Sequence, residues 1–220
     1  MKIEVYIKRN NSFEKFLYKY EDSSETVAGM LKNINLSDEI INADGKVTRP
    51  IDWNSSCLQK RCGACAMVIN GRPRLACESF LRDYKKLTLE PLKKFPLIAD
   101  LRTDRSVLQK NLKDMELYRD KKESSDEDED DLYDASRCLL CGLCLEVCPN
   151  WHIESSFFGA AAAVSYYKKI SGGDASKNYE KHFYGGCGKS LACRNICPAG
   201  IDIDNLLVKS NRSVIWKRGH

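Results

Sequence analysis

Ile3, Val5 and Ile7 alternate with polar neighbours, and beyond the turn-competent stretch Arg9-Asn10-Asn11-Ser12 the residues Phe16, Tyr18 and Tyr20 alternate again. A period of two on both sides of a turn predicts an antiparallel hairpin. The period then lengthens: Val27, Met30, Leu31 and Ile34 fall on one helical face, with Asp22 and Glu25 spaced as an N-terminal cap. Asn70-Gly71 sits between the short apolar runs of AMVINGRPRLA, a strong local signal for a second hairpin, and KLTLEPL at residues 86–92 supplies one more strand. From residue 101 the pattern is helical, broken by the hydrophilic run KKESSDEDEDD at 121–131, which predicts a solvated linker. The expectation is an α+β chain of two domains, 1–100 built from strands around a single helix and 101–220 mainly helical.

Composition changes this picture at one residue type. With 43% hydrophobic residues in 220 the chain can build ordinary cores, but it carries eleven cysteines, an odd number, and its first residues read as a strand where a leader would have an apolar core. A disulfide framework is therefore not expected. The longest low-polarity run, Phe157 to Tyr167, is shorter than the roughly 20 residues of a membrane span, so no transmembrane segment or signal peptide is expected. The net charge of +4 comes with no aromatic and Arg-rich binding motif, so no nucleic-acid partner is expected.

The cysteines fall into spaced runs. Cys57, Cys62 and Cys65, followed at a distance by Cys77, have the plant-type 2Fe-2S spacing, which makes the first domain a β-grasp ferredoxin arrangement. Lys60, Arg61, Arg72 and Arg74 stand near this set, either offsetting cluster charge or simply exposed. Cys138, Cys141, Cys144 and Cys148, followed by Pro149, have the bacterial ferredoxin spacing, in which the fourth cysteine serves a second cluster. The same spacing returns at Cys187, Ser190, Cys193 and Cys197 before Pro198, with serine at the second station. Crossing the fourth ligands assigns Cys138, Cys141, Cys144 and Cys197 to a 4Fe-4S cluster. Cys148, Cys187 and Cys193 remain, and three thiolates predict a 3Fe-4S cluster. All eleven cysteines are then used. Zinc is the competing occupant of C-x2-C pairs, but zinc ribbons use separated pairs and these runs overlap. Nothing else in the chain performs recognisable chemistry, so substrate conversion is expected on a partner.

The order of CGACAMVINGRPRLAC, FPLIADLRTDRSVL, CLLCGLCLEVCPN, FFGAAA and CGKSLACRNICPAGI resembles the iron-sulfur subunit of succinate dehydrogenase and fumarate reductase over nearly the whole chain. The resemblance implies an electron-transfer subunit of that oxidoreductase complex, with no dicarboxylate site of its own. Electrons would pass between a FAD-containing subunit and a quinone beside a membrane anchor, on the cytoplasmic side of the membrane, where partner subunits hold the chain peripherally. Leu58 and Lys60 stand where many members have Arg and Gly, and Gly188 stands where some have a quinone-pocket histidine. That departure points to forms working with menaquinone and a haem-bearing anchor. Pro149, Trp151 and His152 are the candidate quinone-side residues, with packing against the cluster shell as the other reading of Trp151 and His152. Ser190 either binds iron or fills space. An alternative keeps the clusters and changes the terminals to a related flavin oxidoreductase with a non-quinone donor or acceptor, such as a thiol.

Overall fold

The computed structural model describes residues 1–115, 129–170 and 179–216, without the side chains of 168–170 and 213–216, and divides into two compact units, Met1–Asp104 and Arg105–His220. Most of the expected acidic linker at 121–131 lies outside the described residues.

In the first unit β1 (Lys2–Arg9) and β2 (Ser12–Lys19) form the expected hairpin, with Asn10 in the left-handed conformation at the turn (φ 54°). Ile3, Val5 and Ile7 are buried on one face, as the alternation requires. Helix α1 (Val27–Asn35) follows, burying Val27, Ala28, Met30, Leu31 and Ile34. Its cap is Thr26, whose hydroxyl accepts from Gly29 N at 3.1 Å, and not the Asp22 and Glu25 pair that the sequence suggests. Asp22 instead takes the N–H and hydroxyl of Ser24, while Glu25 accepts from Tyr18 and Asn33. Both acidic side chains therefore have other partners, and the extended residue beside the first helical turn is Thr26.

Two short strands, β3 (Ile40–Ile41) and β4 (Val47–Thr48), pair with each other. Strands β5 (Ala66–Ile69) and β6 (Arg72–Leu75) are joined by Asn70 and Gly71 at φ 48° and 75°, both left-handed as a two-residue hairpin turn needs. The Asn70 side chain also grips β7 (Lys86–Glu90), accepting from Thr88 N and donating to Lys86 O. The resulting sheet has the order β2-β1-β7-β5-β6, with β1 and β7 parallel. A last hairpin, β8 (Leu97–Ala99) with β9 (Arg102–Thr103), extends this unit past residue 100 because Leu101 N bonds Asp52 O and Asp104 N bonds Pro96 O. Asp100 is fully buried there, paired bidentately with Arg49 at 2.7 and 2.9 Å and with the buried Arg9 at 3.3 Å.

The second unit contains α2 (Ser106–Asp114), α3 (Glu129–Ser136), α4 (Leu143–Val147), α5 (Gly159–Ile170), a π-helical turn at Glu180–Tyr184, α6 (Ala192–Ile196) and α7 (Ile203–Trp216). Helix α5 is the hub, touching α2, α3, α4, α7 and the π turn. The alanine run Ala160 to Ala163 is buried throughout, which lets the neighbouring backbones approach. Gly159 begins the helix at φ 73°, and a Cβ there would stand 2.3 Å from Leu145 Cδ2. Beside this hub Tyr166, Tyr179 and Phe183 form an aromatic cluster with centroids 5.1 to 5.8 Å apart.

Candidate metal centres

Cys57, Cys62 and Cys65 lie on the loop between β4 and β5, and Cys77 lies on the short turn that follows β6. Leu58 and Lys60 both take left-handed φ, 55° and 57°, a costly conformation for non-glycine residues. The return is visible in the hydrogen bonds. Backbone N–H groups of Gln59 and Arg61 donate to Cys57 Sγ, those of Cys57 and Ala64 to Cys62 Sγ, that of Lys60 to Cys77 Sγ at 3.2 Å, and that of Cys77 to Cys65 Sγ. Donors aimed at sulfur favour the thiolate. The Gln59 N–H is the main reason Cys57 is lowered to about 7, whereas burial pushes Cys65 up to about 12. A loop that turns its amides toward four thiols suits an anionic, thiolate-ligated group. Lys60 Nζ is also paired with Glu78, beside Cys77.

Cys138, Cys141, Cys144 and Cys197 line one small cavity, walled otherwise by apolar residues from the start of α4, the face of α5 and the approach to α7. Burial raises Cys141 to about 11 and Cys144 well above the ordinary thiol range. Bare thiolates are therefore expensive in this cavity, and iron is the kind of charge that removes the cost. Arg105 donates to Cys141 O at 2.8 Å and favours the Cys141 thiolate.

Cys148, Cys187 and Cys193 line a second, larger cavity, and Ser190 lies on its wall with them. Burial raises Cys193. Tyr179 OH donates to Asn211 Oδ1 at 2.5 Å on the same wall, and burial, then Cys187, raise its phenol. Gly188 leaves room for Asn150, since a Cβ there would stand 2.8 Å from Asn150 Nδ2, which donates to Gly186 O at 2.8 Å.

The candidate quinone-side residues separate. Pro149 is on the wall of the larger cavity, Trp151 is 2% exposed and lies close to the backbone at Gly159, and His152 is exposed; neither Trp151 nor His152 is among the wall residues. His182, to which the sequence assigned no role, is buried, stacked on Phe158 at 3.8 Å with Nδ1 2.8 Å from Ser156 O. Asn150, Tyr179, Asp204 and Asn211 are wall residues that sequence reasoning missed, because helices and turns far apart in the chain bring them together. Among the described residues no three His, Cys, Asp or Glu side chains converge closely enough to hold one ion.

Residues 2–110 match a family model described as a 2Fe-2S iron-sulfur cluster binding domain, and residues 137–200 match one described as a 4Fe-4S double cluster binding domain. The succinate dehydrogenase iron-sulfur subunit of Bacillus subtilis (strain 168) is 29% identical over 217 residues, covering 90% of this chain and 85% of the relative. The fumarate reductase iron-sulfur subunit of Mycobacterium tuberculosis (strain CDC 1551 / Oshkosh) is 30% identical over 171 residues, covering 69% of each chain. Among solved structures, a chain of the Mycobacterium smegmatis Sdh1 complex in the apo form has a TM-score of 0.83 at 20% identity, covering 100% of this chain and 98% of that one, a likeness of fold.

Proposed function

Because the chain belongs to the family of succinate dehydrogenase and fumarate reductase iron-sulfur subunits, we propose that it relays single electrons between a FAD-containing subunit and a quinone at a membrane anchor. In this reading Cys57, Cys62, Cys65 and Cys77 hold a 2Fe-2S cluster, Cys138, Cys141, Cys144 and Cys197 a 4Fe-4S cluster, and Cys148, Cys187 and Cys193 a 3Fe-4S cluster. One observation carries it: within the helical unit the thiols sort into two cavities, and Cys148 and Cys197 each join the cavity of the other run. Iron-sulfur groups accept and release one electron at a time.

The residues of the chain shape that chemistry. Amides of the 57–65 loop stabilise the thiolates of the first set. The wall of the smaller cavity is apolar. That of the larger also carries Asn150, Tyr179, Lys189 and Asn211, polar groups that suit an acceptor at the end of the relay. Dicarboxylate conversion belongs to the flavin partner in this reading. The chain sits peripherally on the cytoplasmic side of the membrane, and among the described residues no helix is long and apolar enough to cross one. Menaquinone is the proposed acceptor, because Gly188 replaces the histidine of ubiquinone-type pockets.

The test is electron paramagnetic resonance on the anaerobically purified complex, oxidised and then reduced stepwise, with iron and sulfide quantified and quinol compared with thiol donors. The reading expects a three-iron signal on oxidation, two further centres on reduction, and electron entry from succinate or quinol. Colourless protein holding zinc, or activity with thiol donors alone, sinks it.

A further inference from the structure

The helical unit follows the same short path twice. Leu140 (φ 48°) and Gly142 (φ 84°) flank Cys141, and Gly142 caps the five-residue α4, which ends at Cys148. Lys189 (φ 53°) and Leu191 (φ 56°) flank Ser190, and Leu191 caps the five-residue α6, which ends at Cys197. The hydrogen bonds repeat as well: Leu145 and Glu146 donate to Gly142 O, and Arg194 and Asn195 to Leu191 O. In the first copy this backbone delivers a thiol to the wall of the smaller cavity. In the second it delivers a hydroxyl to the wall of the larger one. Two bulky residues keep a conformation that favours glycine, and the result is that Ser190 is held where a fourth ligand belongs.

One further feature distinguishes this corner. Ser190 is exposed, so the corner meets solvent and is reachable by a metal ion.

We propose that the corner presented by Ser190 is a reversible binding site for a divalent metal ion, which completes the three-iron cluster to a four-metal one. The proposal rests on the three-thiolate cluster assigned above to Cys148, Cys187 and Cys193. A hydroxyl is a weaker ligand than thiolate for soft metals, so the fourth metal exchanges while the three held by cysteine stay. One electron from dithionite reduces the three-iron cluster; the dication then adds without further electron transfer. Ser190 binds as the neutral hydroxyl, so no proton leaves.

The experiment uses the anaerobic complex. Ferricyanide with EDTA, followed by desalting, sets the oxidised three-iron resonance; dithionite with Fe²⁺ or Zn²⁺ and a second desalting follow, and the resonance is read again after mild reoxidation. The expected result is loss of most of the signal in the unaltered protein and its return after renewed EDTA and ferricyanide. Ser190→Ala should assemble the same signal but retain metal about tenfold or more weakly, and Ser190→Thr, which keeps the hydroxyl, should restore retention. Undiminished signal in the unaltered protein, or equal loss in Ser190→Ala, overturns the proposal. Absence of any three-iron resonance after ferricyanide and EDTA overturns the underlying cluster assignment instead, and the proposal with it.

Discussion

Asp100 shows what a buried charge contributes in this molecule. Its side chain is fully buried between Arg9 and Arg49, and it also accepts from Asp52 N at 3.0 Å. Asp100→Asn keeps the shape and tolerates the left-handed backbone at φ 45°, but it leaves the buried Arg9 with less compensation. It should cost about 3–5 kcal/mol, read as a lower denaturation midpoint of the sheet signal. Arg49→Ala should cost less, about 1–3 kcal/mol, because Asp100 loses its two short bonds to Arg49 but keeps Arg9 and Asp52 N. Tyr18 supplies a pH dependence. Burial, reinforced by Glu25, pushes its phenol up to about 12. The unfolded chain ionises first, so this contribution to stability is complete below the ordinary tyrosine pKa of about 10 and disappears as pH rises toward 12. Ultraviolet difference titration against Tyr18→Phe should place the missing phenolate near that upper value. The grouping of the cysteines on one loop and two cavity walls is the grouping that their spacing suggests, because residues a few positions apart share a turn. Arg9 with Asp100, and Arg105 with Cys141, could not be read from spacing: each pair meets only through the fold.

Among the elements, α5 matters most because both cavities use it. Ala160, Ala161 and Val164 wall the smaller cavity, and Gly159, Ala160 and Ala163 wall the larger. Gly159→Ala combines left-handed strain with a clash against the buried Leu145, for about 2–4 kcal/mol. Iron and sulfide analysis should find both groups of the helical unit depleted, while the visible absorbance of the first unit persists. Asn70-Gly71 announced its hairpin, because that signal is local. Helices α4 and α6 have five residues each, too few for a helical period to show. The cap of α1 was misplaced by a rule that sees spacing but not competing partners: Asp22 and Glu25 bond elsewhere.

At the scale of the whole molecule the two units differ in what holds them together. The first has a five-stranded sheet and a buried helix face. In the second, Cys138, Cys144, Cys193 and Cys197 pack against the hydrophobic cluster of Ala160, Val164, Tyr167, Ile201 and Leu206, and helices of five residues are marginal without tertiary support. Removing iron with a chelator should therefore collapse the helical unit first, seen as loss of helical circular dichroism while the sheet signal remains. Two domains and a change from strand to helix were legible because periodicity changes with them; the extension of the first unit past residue 100 was not, since two hydrogen bonds to distant residues produce it. The paired left-handed residues around Cys141 and Ser190 bear on the history of the chain. Serine and cysteine codons can differ by a single base, so one point mutation would exchange the Ser190 hydroxyl for a thiol, with the backbone already shaped for either.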